Sequence, residues 1–466
     1  MTELPLNWIE LSFEKILELI NGFAFKSSEY VEQGIRVVRI TNVQKGYFTD
    51  DNPKYYNRLD KLSKYQLKNN DILMSLTGNV GRVCLLENKY LPAYLNQRVA
   101  CIRIKNEDIV NTKFIFYTLN SDHFENMCIQ NSKGNAQLNL STEFVKTIPL
   151  KIPPSNEQKR IVKKLDAIMP KVDKINSRLE RIPTILKRAR QSILNQAITG
   201  ELTKEWRKEH PNINTAKTIL NNLRQTLLND ATKNLDQTKL NKIYDYQEEY
   251  FSYEIPDTWC FSTLEKLCKS FKYGTSSKSD TSGLIPVLRM GNLQNGEIDW
   301  NDLVYTSDQQ EIQKYNLNKN DVLFNRTNSP ELVGKTAIYR GEQQAIYAGY
   351  LIKIENYSQL NSEYLNYALN STFAKEWKLE VKTDGVSQSN INAQKLAKYE
   401  ISLPPIEEQE EIVRQVKTLF EKLDKIEESY KKAKQYTDKI TQSVLHKAFT
   451  GNLVAQDPND KPLEMV

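Results

Sequence analysis

"IPPSNEQKRIVKKLDAIM" occupies 152–169 and "LPPIEEQEEIVRQVKTLF" occupies 403–420, so the chain writes nearly the same proline-led helix start twice. Pro153 and Pro404 stand 251 residues apart. That offset holds without a gap from 153–202 to 404–453, where about a third of the aligned positions are identical, ending in "AITGELT" and "AFTGNLV". It also joins two earlier stretches, "LPLNW" at 4–8 and "IPDTW" at 255–259. Between these anchors the match is looser. "VVRITNVQKG" (37–46) answers "VLRMGNLQNG" (287–296), "YQLKNNDIL" (65–73) answers "YNLNKNDVL" (315–323), and "GNAQLNL" (134–140) answers "GVSQSNI" (385–391).

A duplication of this length predicts two similar globular domains, each followed by a long helix. The expected boundaries are a first domain at 1–150, a first helix at 151–205, a linker at 206–250, a second domain at 251–402, a second helix at 403–456 and a tail at 457–466. Short β-branched runs such as "IRVVRITNV", "DILMSL" and "VACIRI", with their partners "IPVLRMGNL", "DVLFNR" and "GYLIKI", are separated by Asn, Asp and Gly turn signals. The domains therefore read as mixed α/β, and the class as α+β.

Apolar residues recur with a heptad spacing in both helices. In the first, Ile161, Ile168 and Ile175 alternate with Leu165, Val172 and Leu179; in the second, Ile412, Leu419 and Ile426 alternate with Val416 and Leu423. A long helix with polar sides needs a partner for its apolar seam, and the other copy is the simplest one. Antiparallel packing would bring acidic Glu407, Glu408, Glu410 and Glu411 near Lys187, Arg188 and Arg190 and give the chain a pseudo-twofold axis. Ser155 with Gln158 has the spacing of a capping box, and Gly200 and Gly451 are natural helix stops. Pro170 and Pro183 should bend or interrupt the first helix.

Composition bounds the function. The 466 residues carry a net charge of +6 and a mean hydropathy of −0.59, and no run approaches the roughly eighteen apolar residues of a membrane span. The start "MTELPLNWIELSFEKILELI" lacks a signal sequence, which predicts a cytoplasmic protein. Between Glu157 and Lys208 there are fourteen Lys and Arg against six Asp and Glu, a segment that reads first as a solvated helix face and also allows a polyanion. Five scattered cysteines, Cys84, Cys101, Cys128, Cys260 and Cys268, read as reduced core thiols. His123, His210 and His446 are dispersed, so no metal centre is expected. The only Pro-Pro pairs open the helices, which leaves no Asn/Asp-Pro-Pro-aromatic methyltransferase site, and there is no phosphate-cradling loop for ATP. Glu87-x-Lys89 and Glu376-x-Lys378 resemble fragments of a nuclease site but read as surface charge. A non-catalytic chain follows.

These marks together resemble the DNA-specificity (S) subunits of type I restriction–modification systems. They are the repeated Pro-Pro and Glu-Gln at Pro153, Pro154, Glu157, Gln158 and at Pro404, Pro405, Glu408, Gln409, the endings "TGEL" and "TGNL", and the "P-x-x-W" openings at Pro5 and Pro256. The resemblance covers almost the whole chain. It implies two target-recognition domains that each read one half of a bipartite double-stranded DNA site, and an antiparallel coiled coil that sets the spacing. It also implies two methyltransferase (modification) subunits docked on the coil, restriction (translocase/nuclease) subunits recruited to that core, and no membrane. No cofactor would be bound by this chain; S-adenosylmethionine would belong to the methyltransferase, and ATP and magnesium to the restriction subunit. The competing reading is a coiled-coil scaffold with two interaction domains that do not bind DNA.

Candidate DNA-contacting residues follow from the repeat. Residues common to both copies, Arg39 with Arg289 and Asn42 with Asn292, lean towards fold or phosphate contact. Gln137 with Gln388 and Asn139 with Asn390 lie in glycine-containing loops that can approach a duplex. The divergent loops, "SLTGNVGR" (75–82) against "NRTNSPELVGK" (325–335) and "NQR" (96–98) against "AGY" (348–350), offer Arg82, Asn96, Gln97, Arg98, Asn325, Arg326 and Asn328 as base readers.

Overall fold

The structure, a computed structural model, describes residues 4–134, 137–231, 234–245, 253–385 and 388–464. It divides into two compact units, Met1–Glu180 with Tyr430–Val466, and Arg181–Ser429.

In the first unit the strands in chain order are β1 (Ile9–Ser12), β2 (Leu17–Asn21), β3 (Ile35–Val38), β4 (Tyr55–Tyr56), β5 (Ile72–Ser75), β6 (Val83–Leu85), β7 (Ala93–Leu95), β8 (Val99–Ile104) and β9 (Pro149–Ile152). β2, β8, β5 and β6 form an antiparallel sheet in that order. A second sheet runs β4-β3-β7, with β3 and β7 parallel. β1 and β9 pair antiparallel, so the domain's beginning closes on its end. Ile72, Met74, Val83, Ala100 and Phe114 fill one core, and Leu73, Cys84, Leu95 and Cys101 fill another. The two core sets alternate along β5 and β8 because successive strand residues point to opposite faces.

The second unit repeats this plan. Cys268–Tyr273, Leu351–Asn356, Val322–Asn325 and Thr336–Ile338 make the four-stranded antiparallel sheet. Val304–Thr306, Ile285–Leu288 and Ile346–Tyr347 make the three-stranded one, again with a parallel pair. Cys260–Thr263 closes on Glu400–Leu403. All five cysteines are buried, and burial pushes the Cys128 thiol up to about 12. The stretch expected as a linker holds helices at Lys204–Glu209, Ala216–Asp230 and Asn234–Tyr244, with Ala216 buried in the core of this unit. Its last residues, 246–250, lie outside the described residues.

The long helices are α1 (Ser155–Leu179), α2 (Ile182–Thr199) and α3 (Ile406–Phe449). The first expected helix is thus two. Pro183 sits in the first turn of α2, where its missing N–H is one of the unpaired donors anyway, whereas Pro170 is contained inside α1. Each unit packs its helices antiparallel. In the first, Lys164 donates to the Leu453 carbonyl at 2.8 Å and Lys434 to Asn176 at 3.3 Å. In the second, Ser402 donates to the Ile198 carbonyl at 2.7 Å while Arg190 pairs with Asp424 and Glu427.

Three helix expectations need correction. Arg190 meets Asp424 and Glu427 rather than the acidic first turn of α3; there Glu408 pairs with Arg207 instead. The seam is only partly closed: Ile161, Leu165, Val172, Leu179, Ile412 and Val416 are buried, Ile168, Leu419 and Leu423 are half-buried, and Ile175 and Ile426 are exposed. Beside Ile175, Asn176 bonds Lys434 next to Ala433 and Thr437, side chains too short to cover an isoleucine; Ile426 sits between the two acids that hold Arg190. The capping box is also absent, because Ser155 is already the first residue of α1 and makes no cap bond.

Gln158 turns away from its own helix start. It accepts from Asn111 N at 2.7 Å and donates to the carbonyls of Pro153 and Ile109. Gln409 does the same with Asn361 N, at 2.7 Å, and the carbonyls of Pro404 and Gln359. Beside them, Trp8 donates from Nε1 to Glu157 and Trp259 donates to Glu408. The repeated Glu-Gln therefore ties each helix to the domain before it.

Candidate nucleic-acid interface

Three chain segments converge at one rim of each domain. In the first, Leu76 N donates to the Arg98 carbonyl at 3.0 Å, Leu140 N donates to the Leu76 carbonyl at 2.8 Å, and Asn139 bridges both Thr77 and Lys133. In the second, Arg326 N donates to the Tyr350 carbonyl at 2.9 Å and Ile391 N to the Arg326 carbonyl at 2.9 Å. Here the bridges lengthen into a small sheet in which Thr327–Asn328 pairs with Ser389–Asn390, and these with Thr383–Asp384. The segments around 76, 98 and 139, far apart in sequence, thus share one frame with those around 326, 350 and 390.

The frame decides which candidates face outward. Gln97, Arg98, Gln137, Asn139 and Gln388 are exposed, and Arg326, Asn328 and Asn390 are half-buried on the same rims. Asn390 donates to Thr327 Oγ1 at 2.8 Å, and Asn328 Oδ1 accepts from Ser329 N at 2.8 Å. Arg82 lies behind the rim, bonded to Gln44 Oε1 at 3.3 Å and beside Glu125 at 3.6 Å; Lys335 bonds Gln294 at 2.9 Å in the same place in the other repeat.

Four candidate asparagines lie buried in the domains, not exposed on the rims. Asn42 and Asn292 are each 3% exposed, accept from the Arg39 and Arg289 backbone N at 2.8 Å, and donate to loop carbonyls. They build a turn shared by both domains. Arg39 and Arg289 extend it by donating to the carbonyls of Asn52 and Asp302. Asn96 is buried and caps Arg98 N at 3.2 Å, and Asn325 is fully buried beneath the rim with Oδ1 accepting from Thr327 N at 3.3 Å. Burial, with the side-chain oxygen held by backbone N–H, keeps these four amides from presenting a bidentate edge to a base; Asn325 Nδ2 has no partner among the described residues.

Sequence reasoning missed others. Thr77 and Lys133 flank Asn139, and Tyr273 and Tyr350 stand exposed beside Arg326. The signal for the tyrosines is weak, since neither position repeats as an aromatic: Asn21 and Arg98 stand at the equivalent places. Lys378, read as surface charge, is buried and donates to the carbonyls of Gly334 at 2.6 Å and Leu369 at 2.5 Å. Burial pulls its ammonium pKa down to about 7. Lys89 does lie on the surface, paired with Glu87 at 2.9 Å.

Among the described residues no group of His, Cys, Asp and Glu could hold a metal ion, and no helix is long and apolar enough to cross a membrane. The rims offer amides, hydroxyls and guanidinium groups, a donor and acceptor set suited to base edges and phosphates.

The model of the type I restriction modification DNA specificity domain matches twice, at residues 5–184 and 256–435. The EcoBI specificity subunit of Escherichia coli, a type I restriction enzyme subunit, is 30% identical over 98% of this chain and 88% of its own length. The EcoKI specificity subunit of E. coli strain K12 is 27% identical over 99% of this chain and 92% of its own. A solved chain from a study of complex assembly and conformational transition of the type I R-M system superposes with a TM-score of 0.68 at 16% identity, covering 97% of this chain and all of that one. The two matched segments start and end at the 251-residue offset of the internal repeat.

Proposed function

We propose how recognition is divided along the chain from one premise: the chain belongs to the type I restriction–modification DNA-specificity family. It is a DNA sequence-recognition subunit, and its two repeated domains match a bipartite target. In this reading each rim lies against one half-site. Gln97, Arg98, Gln137 and Asn139 contact the first half-site, and Arg326, Asn328, Gln388 and Asn390 the second. The observation that carries it is the duplicated three-segment frame, which exposes side chains on matched backbone, keeping Gln137 with Gln388 and Asn139 with Asn390 while Leu76 and Arg98 give way to Arg326 and Tyr350.

The helices then serve the assembly rather than the bases. Ile175, Ile185, Ile426, Tyr436 and Ile440 are exposed on them, apolar surface of the kind that protein partners cover. This supports docking of two methyltransferase subunits there, recruitment of restriction subunits to that core, and a spacing between half-sites set by the coil. The chain itself is proposed to be non-catalytic and cofactor-free, with S-adenosylmethionine held by the methyltransferase and ATP and magnesium by the restriction subunit. The test is co-expression with its methyltransferase and mapping of methylated adenines across the host genome. A recurrent bipartite motif that depends on this chain is expected; methylation with no such motif would leave only a scaffold.

A further inference from the structure

The two rims place different side chains on the same backbone pair. In one domain the pair is Leu76 and Arg98; in the other it is Arg326 and Tyr350. Each rim thus carries one arginine of the pair, on opposite members.

Arg326 is held in a particular way. Its guanidinium lies 4.7 Å from the centroid of the Tyr273 ring, and the Tyr273 hydroxyl accepts from Ala393 N at 3.0 Å, which anchors the ring. Among the described residues the only polar contact of the guanidinium is Nε to Thr327 Oγ1 at 3.4 Å, long for a hydrogen bond. Among the described residues no carboxylate lies within ion-pair distance of it, whereas Arg207, Arg289 and Arg340 of the same unit each have one. Nη1 and Nη2 are left without a partner among the described residues. Stacking on an aromatic face fixes the planar fork before any ligand arrives, which lowers the entropy lost when two parallel bonds form.

Two DNA acceptors match that fork, the O6/N7 edge of guanine and a phosphate. Phosphates present the same chemistry to both domains, so their contacts belong on features the repeat preserves. Arg326 is not preserved: the equivalent position is buried Leu76, and the position of Tyr273 is Asn21. The divergence favours the base. Resting on the reading of the chain as a DNA-specificity subunit, we propose that Arg326, steadied by Tyr273 as its positioning residue, reads a guanine in the half-site taken by the second domain.

The full chain, assembled with its methyltransferase, is assayed for methylation of duplexes that vary one base pair at a time. Wild type is expected to prefer G·C at one position of one half-site by roughly ten- to a hundredfold. Arg326→Gln and the charge-preserving Arg326→Lys are expected to bring that preference to within about threefold of unity while discrimination at the other positions stays. Tyr273→Leu should weaken it in the same place, and Tyr273→Phe, which keeps the ring but loses the bond from Ala393 N, should weaken it less. Loss that is uniform across sequences with a shallower salt dependence means a phosphate contact and overturns the proposal, as does a half-site without guanine. A bipartite motif indifferent to Arg326 sinks the inference alone; no bipartite motif in wild type sinks the reading beneath it as well.

Discussion

Trp8 Nε1 donates to Glu157 Oε2 at 2.9 Å, and Trp259 Nε1 donates to Glu408 Oε2 at 2.8 Å. In each repeat the tryptophan that opens the domain is bonded to the first turn of the helix that leaves it, and this bond explains why "P-x-x-W" and "P-P-x-x-E-Q" occur as a set. The two carboxylates differ in their other partners. Glu408 is fully buried and also takes Thr203 and Arg207, whereas Glu157 Oε1 has none among the described residues and burial raises its carboxyl above the usual range.

Glutamine can still accept from Trp8, so Glu157→Gln is expected to change stability by less than about 1 kcal/mol. Glu408→Gln removes the anion from Arg207 and should cost about 1–3 kcal/mol, and Glu408→Ala about 3–5 kcal/mol. Denaturant unfolding of the three variants checks the order. Equal losses at both sites would contradict the difference in partners.

Gly200 and Gly451 end the two repeated helix segments at φ +78° and +74°, and a Cβ on either would meet a proline ring, Pro256 at 2.5 Å and Pro5 at 2.7 Å. Each domain's opening proline thus packs on a helix-ending glycine in its own unit. Gly200→Ala and Gly451→Ala should each destabilise by about 1–3 kcal/mol, read by thermal unfolding. A neutral substitution would show that the proline ring moves aside freely.

Lys378 makes stability depend on pH. Its folded pKa, about 7, is below the ordinary lysine value, so between these the unfolded chain binds more protons and stability rises with pH. The contribution is fully present above the ordinary lysine range and is lost as pH falls through about 7. Melting temperature should climb from neutral to alkaline pH in wild type, and Lys378→Met should flatten that slope. An identical slope in both would mean the ammonium is solvated.

Much of this was legible in the sequence because the chain repeats itself. The 251-residue offset exposed both domains, the helix segments and the glycine stops. What the sequence hid were choices made by tertiary contacts. Gln158 and Ser155 have capping-box spacing, yet Gln158 is claimed by Asn111 and Ile109 from another part of the chain. Asn96 and Asn325 look like base readers until burial places them inside turns. Lys378 looked like surface charge because its carbonyl partners, Gly334 and Leu369, are set by the fold alone.

If the helices set the gap between half-sites, deleting two heptads from each should shorten the spacer of the methylation motif while leaving both half-sites intact. Genome-wide methylation mapping reads this directly. An unchanged gap would assign the spacing to something other than the helices.

The central claim is that each domain reads its own half-site, and exchanging one domain tests it most directly. Residues 1–150 are replaced by the first domain of another family member with a known target, and the methylated motif is mapped after co-expression with the methyltransferase. One half of the motif should become the donor's while the other half and the gap stay as in wild type. A change in both halves, or in neither, would contradict it.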